Sequence, residues 1–126
     1  QLPIYDNSYS ALLNDLDDRG LLDTTLVITA GEFGRTPGFN KDKRGPGRDH
    51  WSRCFSLTLG GGGIQTGRVI GSSDKHGAVP TDRPVSVADF AATVYRALGL
   101  DPKAEYMAQG RPMRVLPEGA AVKELF

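Results

Sequence analysis

Cysteine is almost absent from this sequence, since its 126 residues include one, Cys54. One cysteine cannot form a disulfide within the chain, so the redox compartment of the protein cannot be inferred from it. Cys54 lies in a strand-like segment, where a buried and inert thiol is the expected state. The sequence therefore does not predict a function based on a reactive thiol.

Net charge is absent as well, because 15 Lys and Arg residues balance 15 Asp and Glu residues. No overall electrostatic field favours a nucleic acid or an anionic membrane as partner, so any anion-binding site must come from a local cluster of basic residues.

No stretch approaches the roughly 20 apolar residues of a membrane span, and the amino terminus lacks a signal-peptide pattern. The sequence starts at Gln1 without an initiator methionine, which leads us to expect a piece of a longer chain.

Two amphipathic helices are predicted. Apolar residues recur at helical spacing along residues 6–19, and Gly20 supplies the end of that helix. Residues 87–98 carry a second apolar stripe, which Ser86 caps and Gly99 closes. With 39% hydrophobic and 24% charged residues, the composition is that of one globular domain.

Residues 25–30 and 54–59 are predicted to be buried strands because they are apolar and rich in β-branched or aromatic side chains. The order helix, strand, loop, strand, helix indicates an α/β layer. Two strands make a thin sheet, and covering both faces of a sheet normally takes more strands. We therefore expect the end of a larger α/β domain.

The loop between the strands carries the most promising chemistry. Glu32, Asp49 and His50 offer the oxygen and nitrogen donors that a divalent cation uses. Arg35 and Arg48 offer guanidinium groups that could hold a phosphate or sulfate. The alternative at this point is a solvated loop in which Arg and Glu side chains pair with each other.

Three other segments are predicted to be structural. Residues 60–63 are four glycines without a following Lys-Ser or Lys-Thr, so a sharp turn is favoured over a phosphate loop. Residues 73–77 hold an Asp and a His in what is expected to be an exposed turn. The chain from Asp101 onward contains three prolines and is expected to wrap the surface with weak structure.

Four motifs together resemble a known family. They are GEFGRTP at residues 31–37, GRDHW at residues 47–51, LGGGGI at residues 59–64 and VADFAATVYRALGL at residues 87–100. Their order and spacing are similar to those of the carboxyl-terminal part of the domain of unknown function 1501 family. That family in turn resembles a branch of the alkaline phosphatase and sulfatase superfamily.

The resemblance implies the carboxyl-terminal part of an alkaline phosphatase-like three-layer α/β sandwich with a mostly parallel sheet. Together with their apolar character, it predicts that the strands at residues 25–30 and 54–59 are adjacent and parallel. Residues 1–126 would form a single partial domain, whose upstream half would carry the nucleophile. Asp89 and Thr93 match a helix of the superfamily in which such residues pack or cap. The resemblance also suggests an exported or periplasmic protein.

The resemblance further implies roles for the loop residues. Glu32 and His50 would be metal ligands, with zinc as the first expectation and calcium or magnesium as alternatives. Arg35 and Arg48 would bind the oxyanion. Phe33 stands where the superfamily has a histidine ligand. If the geometry persists, the Glu32 carboxylate and the His50 imidazole should lie within about 6 Å of each other, close enough to share one cation.

The implied function is metal-dependent hydrolysis of small phosphate or sulfate monoesters, with a catalytic nucleophile that this chain does not contain. The chain alone would be inactive and would need its upstream segment or self-association. The alternative is a catalytically inactive binding or scaffold domain that keeps the fold without the metals. The replacement of a ligand by Phe33 favours that alternative, and the charged loop favours the enzyme.

Overall fold

Two helices and a series of short strands make up the chain. The computed structural model describes residues 2–41 and 45–126. Helix α1 spans Leu2–Asp18 and helix α2 spans Val87–Ala97, and short 3-10 helices lie at Leu22–Thr24 and Lys123–Leu125. The described strands are β1 (Leu26–Ala30), β2 (Gly34–Arg35), β3 (His50–Trp51), β4 (Leu57–Gly61), β5 (Ser72–Ser73), β6 (Pro80–Asp82), β7 (Glu105–Ala108) and β8 (Arg111–Arg114).

The strands pair as short two-stranded antiparallel sheets, β1 with β4, β2 with β3, β5 with β6 and β7 with β8. The predicted three-layer sandwich with a mostly parallel sheet is therefore wrong. The two strands predicted from apolar character are neighbours, as expected, but they are not the parallel pair that was predicted.

The segment between β1 and β4 explains this difference. Parallel neighbours need a crossover of a dozen or more residues, usually a helix. The loop after β1 is instead rich in Gly, Pro and charged residues without an apolar stripe, and it folds back on itself. Gly34 pairs with Trp51, Arg35 pairs with His50, and Asn40 forms an antiparallel bridge with Gly47. The chain thus returns as a hairpin.

The second predicted strand is displaced along the chain. Residues 54–56 are irregular, and β4 begins at Leu57 and continues into the glycine run. Gly61, Gly62 and Gly63 all have positive φ, between 61° and 73°, which residues with side chains rarely adopt. The four glycines therefore end a strand and turn the chain, as predicted.

The chain divides into two compact units, which are residues 1–27, 59–68 and 85–126 for the first and residues 28–58 and 69–84 for the second. The buried side chains among the described residues all belong to the first unit. They are Ile64, Ala92, Thr93, Val122 and Leu125. The core is small, and no large side chain in the described part of the chain is fully buried.

Helix α2 organises the first unit. Ser86 accepts a hydrogen bond from the Asp89 backbone N–H, and the Asp89 carboxylate accepts one from the Ser86 backbone N–H, which completes a capping box. The same carboxylate also accepts the Ala120 backbone N–H at 2.8 Å. The Thr93 hydroxyl accepts the Val122 backbone N–H at 2.9 Å. The packing and capping roles predicted for Asp89 and Thr93 are confirmed.

Helix α1 begins earlier than predicted, at Leu2 rather than at residue 6. Pro3 fits the first turn, where its missing N–H costs nothing. The helix ends at Asp18, and Gly20 with φ of 66° turns the chain, as expected. No helix in the described ranges is long and apolar enough to cross a bilayer.

The expectation of weak structure after Asp101 is wrong. β7 and β8 form a regular hairpin in which the Arg114 Nε lies 3.2 Å from the Glu105 Oε1. Gln109 and Gly110 form its two-residue turn, with φ values of 51° and 75° that suit a type I′ turn. The prolines do not prevent this hairpin. Pro112 occupies a strand of a two-stranded sheet, where an N–H can be spared.

Candidate functional site

The candidate site lies in the second unit, at the start of the hairpin that follows β1. Glu32 lies between β1 and β2, and His50 is the first residue of β3. Gly34 allows the two arms to approach closely, because a Cβ at this position would overlap the backbone carbonyl of Cys54. The sequence thus brings residues 32 and 50 together through hairpin pairing and one small residue.

The Glu32 and His50 side chains converge. The Glu32 Oε1 lies 3.2 Å from the His50 Nε2, inside the 6 Å expected from the sequence. The side chains are 67% and 54% exposed, respectively, so both can be reached by a ligand from solvent. The contact is an ion pair when the imidazole is protonated.

Phe33 lies against the same imidazole. The Phe33 and His50 ring centroids are 5.2 Å apart, and the ring planes are tilted by 31°. This distance lies within the range of favourable aromatic pairs. Sequence reasoning treated Phe33 only as the loss of a ligand and missed that its ring contacts the neighbouring one.

The two predicted anion-binding arginines lie in different surroundings. Arg35 is directly opposite His50 in the β2–β3 ladder, and side chains of such a pair lie on the same face. The Arg48 Nη1 instead donates a hydrogen bond to the Thr36 carbonyl at 3.1 Å, and its guanidinium lies 4.6 Å from the Phe39 ring centroid. Arg35 is thus placed beside the pair, and Arg48 braces the loop.

Asp49, the third candidate donor from the sequence, also has a structural role. Its Oδ1 accepts a hydrogen bond from the Asn40 Nδ2 at 2.9 Å. Its backbone carbonyl accepts the Thr36 N–H, and its own N–H donates to the Thr36 hydroxyl. These bonds close the loop rather than extend the donor set of Glu32 and His50.

Trp51 anchors the strand that carries His50. Its indole Nε1 donates to the Ala78 carbonyl at 2.7 Å. The Ala78 N–H in turn donates to the Asp74 Oδ1 at 2.7 Å, and the His76 N–H donates to the same oxygen at 3.2 Å. The Ala78 backbone hydrogen bond holds the pKa of Asp74 below its ordinary value. The sequence predicted the turn at residues 73–77, but not its hydrogen bond with Trp51.

The fit of a metal ion to these residues is partial. In tetrahedral zinc sites with ligand bonds of about 2 Å, neighbouring ligand atoms lie roughly 3.3 Å apart, so the Glu32–His50 separation suits one edge of such a site. Catalytic zinc sites use three protein ligands. Residues 2–41 and 45–126 contain no group of three His, Cys, Asp or Glu side chains placed to hold a metal. The remaining ligands would have to lie outside the described residues.

Comparison with known proteins gives one result. A family model described as "Protein of unknown function (DUF1501)" matches residues 1–126. No curated protein and no solved structure matches the sequence. The match extends over the whole sequence, so the chain belongs to the DUF1501 family.

Proposed function

We propose that this chain contributes part of a divalent-cation centre to a hydrolase that acts on phosphate or sulfate monoesters. The observation that supports this most strongly is the 3.2 Å separation of the Glu32 Oε1 and the His50 Nε2 on an accessible surface. The similarity of the loop motifs to the alkaline phosphatase and sulfatase superfamily supports the reaction class. Zinc is the cation that a mixed carboxylate and imidazole donor set suits best.

Each residue has a separate task in this proposal. Glu32 and His50 bind the cation, and Arg35, across the ladder from His50, binds the anionic ester group. Arg48 keeps the loop closed through Thr36, and its remaining N–H groups would bind the ester. A bound cation in such a centre polarises the ester oxygens and lowers the pKa of the nucleophile. The nucleophile itself lies outside this chain.

A second candidate is a binding or scaffold domain without catalytic metals. Two observations favour it, namely the lack of a third suitable ligand among the described residues and the apolar ring of Phe33 beside His50. In this case the Glu32–His50 contact would be a surface hydrogen bond that stabilises the hairpin. The two candidates differ in one measurable property, which is affinity for zinc.

Zinc titration by calorimetry tests the proposal, with the purified protein including the upstream segment proposed to supply the remaining ligands. The chain offers a matched control, because it contains two histidines. His50→Gln and Glu32→Gln should each weaken zinc binding by more than about tenfold, since each removes a ligand. His76→Gln, in the turn after β5, should leave zinc binding unchanged.

Hydrolysis of p-nitrophenyl phosphate and p-nitrophenyl sulfate then tests the reaction class, in a zinc-loaded protein that also carries the upstream segment proposed to supply the nucleophile. Zinc-dependent turnover that is lost in His50→Gln would support the hydrolase. The absence of saturable zinc binding, or equal binding by His50→Gln and the unchanged protein, would overturn the metal site and favour the scaffold domain.

A further inference from the structure

The Phe33 ring restricts the side chain of His50. The ring centroids are 5.2 Å apart, and the Glu32 Oε1 lies at the imidazole Nε2. An exposed histidine otherwise samples three wells about χ1 and two about χ2. With one face against Phe33 and one nitrogen on Glu32, the imidazole is held in one of these orientations.

Phe33 is itself held in place by its neighbours. Gly34, the next residue, packs so closely on the Cys54 backbone that no side chain fits there. Gly34 also pairs with Trp51, whose indole is bonded to Ala78. The backbone on both sides of the Phe33–His50 contact is therefore fixed by contacts within the second unit.

We infer that Phe33 is a positioning residue, which holds the His50 imidazole so that its Nε2 faces Glu32. As far as the cation centre is concerned, this inference rests on the proposed function. Phe33 would orient the ligand His50, although its own side chain cannot bind a cation. Restricting about six side-chain orientations to one should strengthen cation binding by up to roughly sixfold. Loss of the ring should therefore weaken zinc binding by up to about sixfold.

Nuclear magnetic resonance of His50 tests the inference without a metal. In the unchanged protein, the imidazole protons should be displaced by the ring current of Phe33, and three-bond couplings should report one χ1 rotamer. Phe33→Leu should abolish the displacement and give averaged couplings. Phe33→Tyr, which keeps a ring, should preserve both signals.

Phe39→Leu is the matched control, because Phe39 is a second phenylalanine in the same loop and is 65% exposed. It should leave the His50 signals unchanged. A single χ1 rotamer of His50 in Phe33→Leu, or averaging in Phe39→Leu as well, would overturn the inference. So would the absence of a ring-current displacement in the unchanged protein, which is a result that needs no variant.

Zinc titration of the same proteins separates this inference from the proposed function. Weaker zinc binding by Phe33→Leu, with normal binding by Phe33→Tyr, supports both. If no protein of the set binds zinc while the rotamer results hold, the proposed function fails and the orientation of His50 by Phe33 is still supported. Equal zinc affinity of Phe33→Leu and the unchanged protein would overturn the role of Phe33 in the cation centre.

Discussion

Gly34 is the residue on which the geometry of the candidate site depends most directly. It lies between Phe33 and Arg35, and a side chain here would overlap the Cys54 carbonyl. The approach of the two hairpin arms at this point sets how far Glu32 lies from His50. Gly34 has no predicted chemical role, but it thus controls the separation of Glu32 and His50, for which such a role is predicted.

We predict that Gly34→Ala destabilises the protein by about 1–3 kcal/mol, because the backbone must move to relieve the overlap. The same shift should remove the contact between Glu32 and His50, which chemical shifts of the His50 side chain would show. Gly38→Ala is the control, because a Cβ at Gly38 would meet nothing within 4 Å. Equal denaturation midpoints for the two variants would contradict this account.

The sequence allowed Glu32 and His50 to be chosen, since acids and histidines near strand ends are few in this chain. It also allowed their convergence to be expected from the family resemblance. The contact between Phe33 and His50 could not be predicted, because it depends on the hairpin register. The same limitation applies to Arg48, whose contacts with Thr36 and Phe39 follow from how the loop closes.

At the scale of elements, helix α2 and the chain end depend on each other through Thr93. Thr93 and Val122 are 2% and 4% exposed, and the Thr93 hydroxyl accepts the Val122 N–H. Water cannot replace an acceptor at such a buried position. The hydroxyl is therefore the buried one of two polar links between α2 and the chain end, the other being the Asp89 carboxylate that accepts the Ala120 N–H.

We predict that Thr93→Val lowers the free energy of unfolding by about 1–3 kcal/mol, because a buried N–H is left without a partner. Thr93→Ser keeps the hydroxyl and loses only a methyl group, so its loss should be smaller, about 1 kcal/mol. Chemical denaturation of both variants measures the difference. A larger loss in Thr93→Ser than in Thr93→Val would show that packing, not the hydrogen bond, holds the chain end.

The turn between β5 and β6 should respond to acid through Asp74. Its carboxylate accepts the Ala78 and His76 N–H groups, and its pKa is lowered from the ordinary value of 3.8. A lowered pKa means that the stabilisation is present above pH 3.8 and is lost as the pH falls further, when the carboxylate is protonated.

The amide chemical shift of Ala78, followed from about pH 6 to about pH 2, should therefore change with a midpoint below that of an ordinary carboxyl group. Asp74→Asn should remove this titration. Because Ala78 also accepts the Trp51 indole N–H, the indole signal should shift with it. An Ala78 titration that survives in Asp74→Asn would assign it to another group.

Element prediction from the sequence succeeded where local signals were strong. Both helices, the Ser86 cap and the strand of residues 26–30 follow from apolar spacing and capping residues. The parallel sheet was wrong because apolar character identifies a strand but not the direction of its neighbour. That direction was decided by the loop, where Gly and Pro residues fold the chain back before any crossover helix can form.

At the scale of the whole molecule, the amount of exposed surface is the dominant feature. The accessible area is 9510 Å². Two separate compact bodies with the masses of the two units would expose about 7,900 Å². The exposed apolar side chains include Leu2, Ile4, Val69, Val87, Leu98 and Met107.

We therefore expect the isolated chain to bury further surface, by self-association or against another polypeptide. The excess of the 9510 Å² over two separate compact units is about 1,600 Å², which is comparable with the area of a standard-size interface. Light scattering over a tenfold range of concentration should give a mass that rises with concentration. A constant monomer mass together with one cooperative thermal transition would contradict the expectation.

The position of Cys54 has a practical consequence for following the hairpin in solution. It is the one cysteine of the sequence and is half-buried, and its backbone carbonyl packs on Gly34. A thiol-reactive probe will therefore modify the protein at a single position, next to the point where the two arms meet. Its labelling rate should rise when those arms separate, and so should report the loss of the Glu32–His50 pair.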